Sequence, residues 1–482
     1  MLTLSDILEC FTGRRFQSLA DDRVREVIVD SRKAQPGDVF VALPGAHWDG
    51  NDFAREAIEH GASLAIVDLT KVTKLGGLGI PVIRSDARDL VPDALRPPLA
   101  LAVSDPEGAL QRLASWWRNK FNVRVIGVTG SIGKTTSKEL IAQVLGSRYS
   151  VLKSEGNMNN ALGVPLTLLR LTSEHQYAVL EMAMDRLGEI ASYCAWAAPQ
   201  VGVLTMVGPV HLEKLGSMQN IAKAKAELVQ ALPPSELGGR AILNDDDDWV
   251  SAMATLTQAQ VVTYGLSPHC DVWADNIESE GLSGVTFTLH HGRHASLVRL
   301  KLLGRHSVHT ALRAAAVGLY EGMSIEEVVE GLNLEPAQLR LLVARGPFES
   351  LVLDDTYNAS PESTLAALNL LKDINGAMPR IAVLGDMFEL GDAEQRGHEE
   401  VGCRAALVAD LVVCVGERSK ITARAARECG AKPGAVVHVN TNAEAIEVLA
   451  AAIKTKSVVL VKGSRGMKME DIVAALGGGI GD

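Results

Sequence analysis

Nowhere in the 482 residues is there a run of about 18 apolar side chains, the length a helix needs to cross a bilayer, so no membrane insertion is expected. An export signal is missing as well. Asp6 and Glu9 stand where such a signal would need a basic stretch and an apolar core, which predicts a cytoplasmic protein. The six cysteines (Cys10, Cys194, Cys270, Cys403, Cys414, Cys429) contain no CxxC pair, which suits reduced thiols, most of them small core residues. Nor is there a basic excess. A net charge of −11 argues against a nonspecific nucleic-acid or anionic-membrane surface and leaves room only for a local basic pocket. Compositional bias toward disorder or collagen is absent too, since 47% hydrophobic and 22% charged residues are ordinary globular values. At roughly 150 residues per domain the length predicts about three domains.

What is present is concentrated between Val123 and Thr136, where VRVIGVTGSIGKTT passes from an apolar strand-like run into a glycine loop, a lysine, two threonines and a helical stretch. That order is a phosphate cradle. Backbone N–H groups of the turn and helix start can surround phosphate oxygens, Lys134 can neutralise them, and the Thr135 hydroxyl can reach Mg²⁺. The spacing departs from the strict pattern because Val128 stands where its first glycine belongs; Gly130 makes the loop a TGxxGK[ST] variant. An ordinary strand-to-helix turn is the alternative, but packing alone does not call for Lys-Thr-Thr directly after glycine. The chain is therefore expected to use ATP or GTP.

Periodicity organises the rest. Residues 1–102 alternate short β-like runs (Val27–Val29, Val39–Leu43, Leu64–Val67, Pro81–Ile83) with a helical stretch near Phe53–His60, followed by a proline- and charge-rich linker, Leu90–Pro98. Residues 103–334 begin with a helix over Pro106–Asn119. Strands at Tyr177–Glu181, Val201–Val207, Arg240–Leu243 and Val261–Tyr264 then alternate with helices, predicting a doubly wound parallel sheet. A β-rich insertion spans Asp271–Leu303, and a helix follows at Ser307–Tyr320. Residues 335–482 form a second α/β sheet with strands at Ser350–Leu353, Arg380–Leu384, Leu411–Val415, Val436–Val439 and Val458–Val461. Several of these run into polar clusters, as ligand-binding carboxyl edges of such sheets do.

Three residues invite a chemical reading. Glu181 closes an apolar strand and is either a metal ligand at the sheet edge or a capping glutamate. His211 follows the strand Val201–Val207 through a Gly-Pro turn and is either part of the same edge or a loop histidine. At 100° per residue Lys225 shares a stripe with Ile221, Ala224, Leu228 and Val229. Its stem snorkels to water, or desolvation leaves a neutral amine able to take up CO₂ as a carbamate and become an anionic metal ligand. Arg340, Asp355, Lys462 and Arg465 are surface charges or, as a set around a cleft, contacts to ribose and phosphates.

Taken in order, these segments resemble the Mur ligase family over nearly the whole chain. The resemblance rests on TGSIGKTT and on DSRKAQPGDVFVALPG (Asp30–Gly45), GNMNNALGVPLTLL (Gly156–Leu169), LEMAMDRLGEI (Leu180–Ile190), GPVHLEKLGS (Gly208–Ser217), AKAKAEL (Ala222–Leu228), DDTYNASPES (Asp354–Ser363), LGDMFELG (Leu384–Gly391) and VKGSRGMKMEDIV (Val461–Val473). It implies three α/β domains: a small UDP-sugar-binding N-terminal domain (1–102), a central P-loop ATPase with the β-rich insertion (103–334) and a C-terminal Rossmann-like domain (335–482). It further implies ATP-dependent formation of an amide between UDP-MurNAc-tripeptide and D-Ala-D-Ala through an acyl phosphate, in a cytoplasmic monomer using Mg²⁺. A sister ligase with another amine acceptor, one of folylpolyglutamate type, and a non-catalytic nucleotide binder are the alternatives. Implied ATP contacts are Thr129, Gly130, Ser131, Ile132, Gly133, Lys134, Thr135, Thr136, Arg340 and Asp355. Thr135, Glu181, His211 and Lys225 as carbamate would hold Mg²⁺; Ser31, Arg32, Asn159 and Asn160 would bind the sugar substrate. The chain departs from the family pattern at Ile132, in EMAMD, at Leu339, and at Ser307 and Thr310, where asparagines are usual.

Overall fold

The computed structural model describes residues 1–45, 47–75, 79–85, 94–334, 341–374 and 378–477. No helix among them is long and apolar enough to cross a membrane. The strands form three sheets, of five, nine and six members. The chain divides into two compact units, residues 1–127, 149–183 and 191–201 in one and 128–148, 184–190 and 202–482 in the other.

In the first unit the five-stranded sheet has the order Val27–Ile28, Val39–Val41, Leu64–Asp68, Leu99–Val103, Val82–Arg84, all parallel. Leu99–Val103 is fully buried, which its unbroken LALAV predicts for an interior strand, yet the prolines just before it make the segment read as the end of a linker. Of that linker, Leu90–Asp93 lies outside the described residues. The helix Pro106–Arg118 starts with Pro106 behind an Asp105 cap, and ends on a buried arginine. Arg118 donates to the carbonyls of Ala197 (2.7 Å), Phe121 (3.2 Å), Val123 (3.2 Å) and Ala198 (3.4 Å), tying together loops that have no ladder partners.

The second unit contains most of the nine-stranded sheet and all of the six-stranded one. Arg240–Asn244 pairs in parallel with Gln260–Gly265, and Val272–Ser279, Val285–His291 and His294–Leu300 add the expected β-rich insertion, the last two pairings antiparallel. The six-stranded sheet runs Leu342–Arg345, Leu351–Asp354, Val458–Lys462, Arg380–Gly385, Leu411–Val415, Val436–Val439; only the first is antiparallel. Its inner strands are largely apolar because both of their faces are covered, whereas the edge strand Leu342–Arg345 is mostly exposed. Leu353, Ala382, Leu384, Val412, Cys414 and Leu460 enter one apolar cluster, while their neighbours Val352, Ile381, Val383, Val413 and Val459 enter another.

One cysteine expectation is corrected. Cys10, Cys194, Cys270 and Cys414 are free and buried, but Cys403 and Cys429 form a disulfide, with Cα atoms 5.1 Å apart across a separation of 26 residues. Packing of the helices Glu394–Val408 and Ser419–Glu428 brings them together, which no local spacing reveals.

Arg118→Met should lower unfolding free energy by about 3 kcal/mol in urea titration, because several buried carbonyls lose their donor together. A loss below about 1 kcal/mol would mean that those carbonyls find other donors.

Candidate active site

The loop after strand Arg124–Thr129 is shaped by two glycines. Gly130 has φ +145°, and a Cβ there would stand 1.8 Å from Thr205 Oγ1, so no side chain fits. Gly133, at φ +81°, precedes the 13-residue helix Lys134–Gly146 and, being glycine, offers the helix start no capping side chain. An uncapped helix start of this kind is an anion site. The loop is bolted to the segment that follows strand Val201–Leu204. Thr205 Oγ1 donates to the Ile132 carbonyl (2.6 Å), Ser131 N–H to the Met206 carbonyl (2.7 Å), and Ser131 Oγ and Gly208 exchange hydrogen bonds (3.0 and 2.9 Å). Thr205 is itself fixed, its carbonyl accepting from Asn244 Nδ2 at 3.0 Å and lying 3.1 Å from the Tyr264 hydroxyl. Lys134 folds over the loop, with Nζ donating to the carbonyls of Gly130 (2.9 Å) and Ser131 (3.1 Å). Thr129 is buried, and Thr135 and Thr136 lie in the first helical turn.

Lys225 lies on the buried stripe of helix Met218–Gln230 and is 2% exposed. Burial, reinforced by the Lys134 charge, holds its amine well below the ordinary lysine range. His211 sits in left-handed backbone (φ +55°) ahead of the short helix Leu212–Leu215. Its Nδ1 is 2.6 Å from Glu389 Oε2, without hydrogen-bond geometry, and 3.3 Å from Asp185 Oδ1. Desolvation lowers its pKa against the opposing pull of these two carboxylates. Lys214 joins the group at 2.9 Å from Asp185 Oδ2 and 3.7 Å from Glu389 Oε1. Glu389 also has positive φ (+63°) and comes from LGDMFELG, a segment whose sequence stands out while the partner of this glutamate does not.

The residues of the first unit divide their work. Glu181 is fully buried; Oε1 accepts from Asn159 Nδ2 at 2.8 Å, while Oε2 has no partner among the described residues. Asn160 instead accepts from the N–H groups of Leu162 (3.1 Å) and Gly163 (2.9 Å), capping helix Gly163–Leu168. Ser31 is buried with its hydroxyl donating to Glu56 (2.9 Å), and Arg32 is exposed and paired with Asp30 (2.9 Å). Among the described residues no three His, Cys, Asp or Glu side chains form a ready-made metal cluster.

A cleft of about 210 Å³ opens beside the phosphate loop. Ser131, Ile132, Gly133 and Thr136 line one side, and Asp355 and Lys462 the other. Lys462 is 2% exposed, donating to Asp355 Oδ2 (2.6 Å) and the Asn358 carbonyl (2.9 Å). Ser307 and Thr310, two of the departures from the family pattern, face the same cleft. Arg465 does not; it is exposed and pairs with Glu470 at 3.2 Å. Arg340 and Leu339 lie outside the described residues. Sequence reading missed Arg313, buried on helix Ser307–Tyr320, whose Nη1 donates to Ser137 at 2.5 Å and stands 3.2 Å from where a Gly133 Cβ would be. Its signal was an arginine amid the alanines of that helix.

A glycine loop on a sheet edge, a lysine across it and a neighbouring cleft define a phosphate-loop nucleotide enzyme. The chain belongs to the Mur ligase family. Residues 23–117 match the Mur ligase family catalytic domain, 128–318 the Mur ligase middle domain, and 340–465 the Mur ligase glutamate ligase domain. The UDP-N-acetylmuramoyl-tripeptide–D-alanyl-D-alanine ligase of Escherichia coli is 35% identical over 98% of both chains. Among solved structures, MurF from Acinetobacter baumannii is 30% identical with a TM-score of 0.81 over 98% of both chains. MurF from Thermotoga maritima in complex with ADP is 28% identical with a TM-score of 0.76, over 95% of this chain and 98% of that one. The protein is an ATP-dependent ligase that forms a carbon–nitrogen bond, with the three-sheet α/β architecture of its family.

Thr205→Val should raise the KM for ATP about fivefold with kcat little changed, because it frees the Ile132 carbonyl without touching Lys134. Steady-state kinetics test this, and an unchanged KM would show that the remaining loop bonds suffice.

Proposed function

We propose that this protein joins D-alanyl-D-alanine to UDP-MurNAc-tripeptide through an acyl phosphate, a cytoplasmic step of peptidoglycan precursor synthesis carried out by a monomer. The observation that carries the reading is the full-length relation to ligases of that name, together with a phosphate loop that keeps its lysine and uncapped helix start. Residues 1–102 bind the UDP-sugar, 103–334 turn over ATP and 335–482 close the nucleotide site.

A carboxylate resists attack by an amine. Phosphorylation of the tripeptide carboxylate converts it into an acyl phosphate, the amine attacks, the tetrahedral intermediate collapses, and phosphate leaves as the new amide forms. Lys134 and the loop from Thr129 to Thr136 hold the transferring phosphates, placing positive charge and N–H dipoles where negative charge develops. Asp355, held by Lys462, serves the ribose side, and Arg340 the γ-phosphate side. Ser31, Arg32, Asn159 and Asn160 serve the sugar substrate, with Ser31 and Arg32 giving up Glu56 and Asp30 to do so.

The side chains fit a hard divalent cation in two respects: the buried Glu181 carboxylate has an oxygen without a partner, and Lys225 is a desolvated amine suited to become an anionic carbamate. Thr135, Glu181, His211 and carbamylated Lys225 would hold Mg²⁺, which when bound supplies screening of phosphoryl charge.

The reading is tested by ADP release from protein, Mg²⁺, ATP and UDP-MurNAc-tripeptide with and without D-alanyl-D-alanine. Turnover that needs both substrates and disappears in Lys134→Ala supports it; ATP binding without dipeptide-dependent turnover overturns it in favour of a sister ligase or a non-catalytic homologue. Lys225→Met should abolish turnover while raising thermal stability, since it removes a buried amine that must fold uncharged. For the same reason wild-type stability should rise with pH below the ordinary lysine pKa, where the unfolded chain binds the extra proton, and the slope should flatten in Lys225→Met.

A further inference from the structure

Two carboxylates face the same nitrogen of His211. Nδ1 is shielded from solvent and makes no hydrogen bond among the described residues, yet Glu389 Oε2 stands 2.6 Å and Asp185 Oδ1 3.3 Å from it. A lone pair on Nδ1 would point at both carboxylates and be repelled; a proton there is attracted by both. A neutral imidazole carries its proton on one nitrogen and its lone pair on the other, so this environment selects Nδ1–H and leaves the lone pair on Nε2. Lys214, 2.9 Å from Asp185 Oδ2 and 3.7 Å from Glu389 Oε1, offsets the repulsion between two carboxylates that converge on one ring.

The loop that brings Glu389 here, residues 386–391 after strand Arg380–Gly385, is tethered at several points. Asp386 Oδ1 accepts from the Ser419 N–H (2.8 Å), the Met387 N–H donates to His398 Nε2 (3.4 Å), the Phe388 N–H donates to Ser464 Oγ (2.9 Å), and Leu390 is buried. On the far side Gly391, at φ +51°, passes so close to helix Leu212–Leu215 that a Cβ would stand 3.4 Å from the Glu213 nitrogen. Glu389 and His211 both hold positive φ, +63° and +55°, a state that residues with side chains keep where their surroundings impose it. Both ends of the contact are therefore fixed by the fold.

We propose that Glu389 is the positioning residue of His211: its carboxylate holds the imidazole as the Nδ1–H tautomer, so that Nε2 presents its lone pair to the divalent cation. This rests on the reading of His211 given above. A histidine that binds a metal through one nitrogen is oriented by what its other nitrogen donates to, and a carboxylate in that place also makes the ligand more basic. The assignment makes a loop of the six-stranded sheet part of a site whose histidine follows a strand of the nine-stranded one.

Nitrogen-15 NMR of the metal-free full chain, labelled at histidine, reads the tautomer, with His211→Asn identifying the signals of that ring. Wild type should show Nδ1 as the N–H nitrogen and Nε2 as the bare one. Glu389→Ala should give a mixture of tautomers, whereas Glu389→Gln, which keeps an acceptor, should retain most of the Nδ1–H form. Mn²⁺ alone is the second probe, its free concentration followed by electron paramagnetic resonance. Affinity should fall about tenfold or more in Glu389→Ala and less in Glu389→Gln. Thermal unfolding reports that the variants fold, and if Glu389→Ala does not, the wild-type tautomer and Glu389→Gln decide. A wild-type ring carrying Nε2–H, a Glu389→Ala that keeps the Nδ1–H tautomer, or one that keeps the Mn²⁺ affinity that His211→Asn loses, overturns the assignment. Should His211→Asn itself bind Mn²⁺ like wild type, the cation reading of His211 falls instead, and the tautomer alone decides the role of Glu389.

Discussion

The hydrogen bonds between the glycine loop and the segment from Thr205 to Gly208 are the constraint on which the active site depends. A loop that presents N–H groups to an anion turns its carbonyls elsewhere, and those carbonyls need donors. Thr205 meets the Ile132 carbonyl, Lys134 spans those of Gly130 and Ser131, and Ser131 in turn gives its N–H to Met206. Tyr264 and Asn244 hold Thr205, so strands well apart in sequence fix the shape of a four-residue turn. His211 hangs from the same segment, which couples the geometry of the phosphate loop to that of the imidazole.

Much of this was legible because it is written in short-range pattern. The six-stranded sheet announced itself through apolar runs whose alternate residues enter two different clusters, and Lys225 through its phase on a 3.6-residue helix. The phosphate loop is one contiguous string. What stayed hidden depends on chain meeting distant chain. Strand Leu99–Val103 was screened by the prolines before it, Cys403 meets Cys429 only through helix packing, and nothing local to Glu389 points to His211. The two readings of Arg465 stayed open for a related reason: loop position shows that a charge can reach a cleft, and only the fold shows that it is a surface charge paired with Glu470.

Four of the buried charged groups belong to the segments that carry the proposed chemistry. Lys225, Glu181, Lys462 and Arg313 are each almost or wholly removed from solvent, and each would be replaced by an apolar side chain if stability alone were at stake. Their cost is offset by the broad apolar layers formed by the strands and helices that carry them.

The adjacent pair Asn159 and Asn160 carries a consequence of its own. One amide turns inward to orient the Glu181 carboxylate; the next turns along the chain to start helix Gly163–Leu168. The segment can therefore tolerate changes of composition but not of length. An insertion or deletion of one residue would put the capping side chain on the glutamate and leave the helix unstarted. In descendants of this sequence, substitutions should accumulate around the pair while the count of residues between Gly156 and Gly163 stays constant.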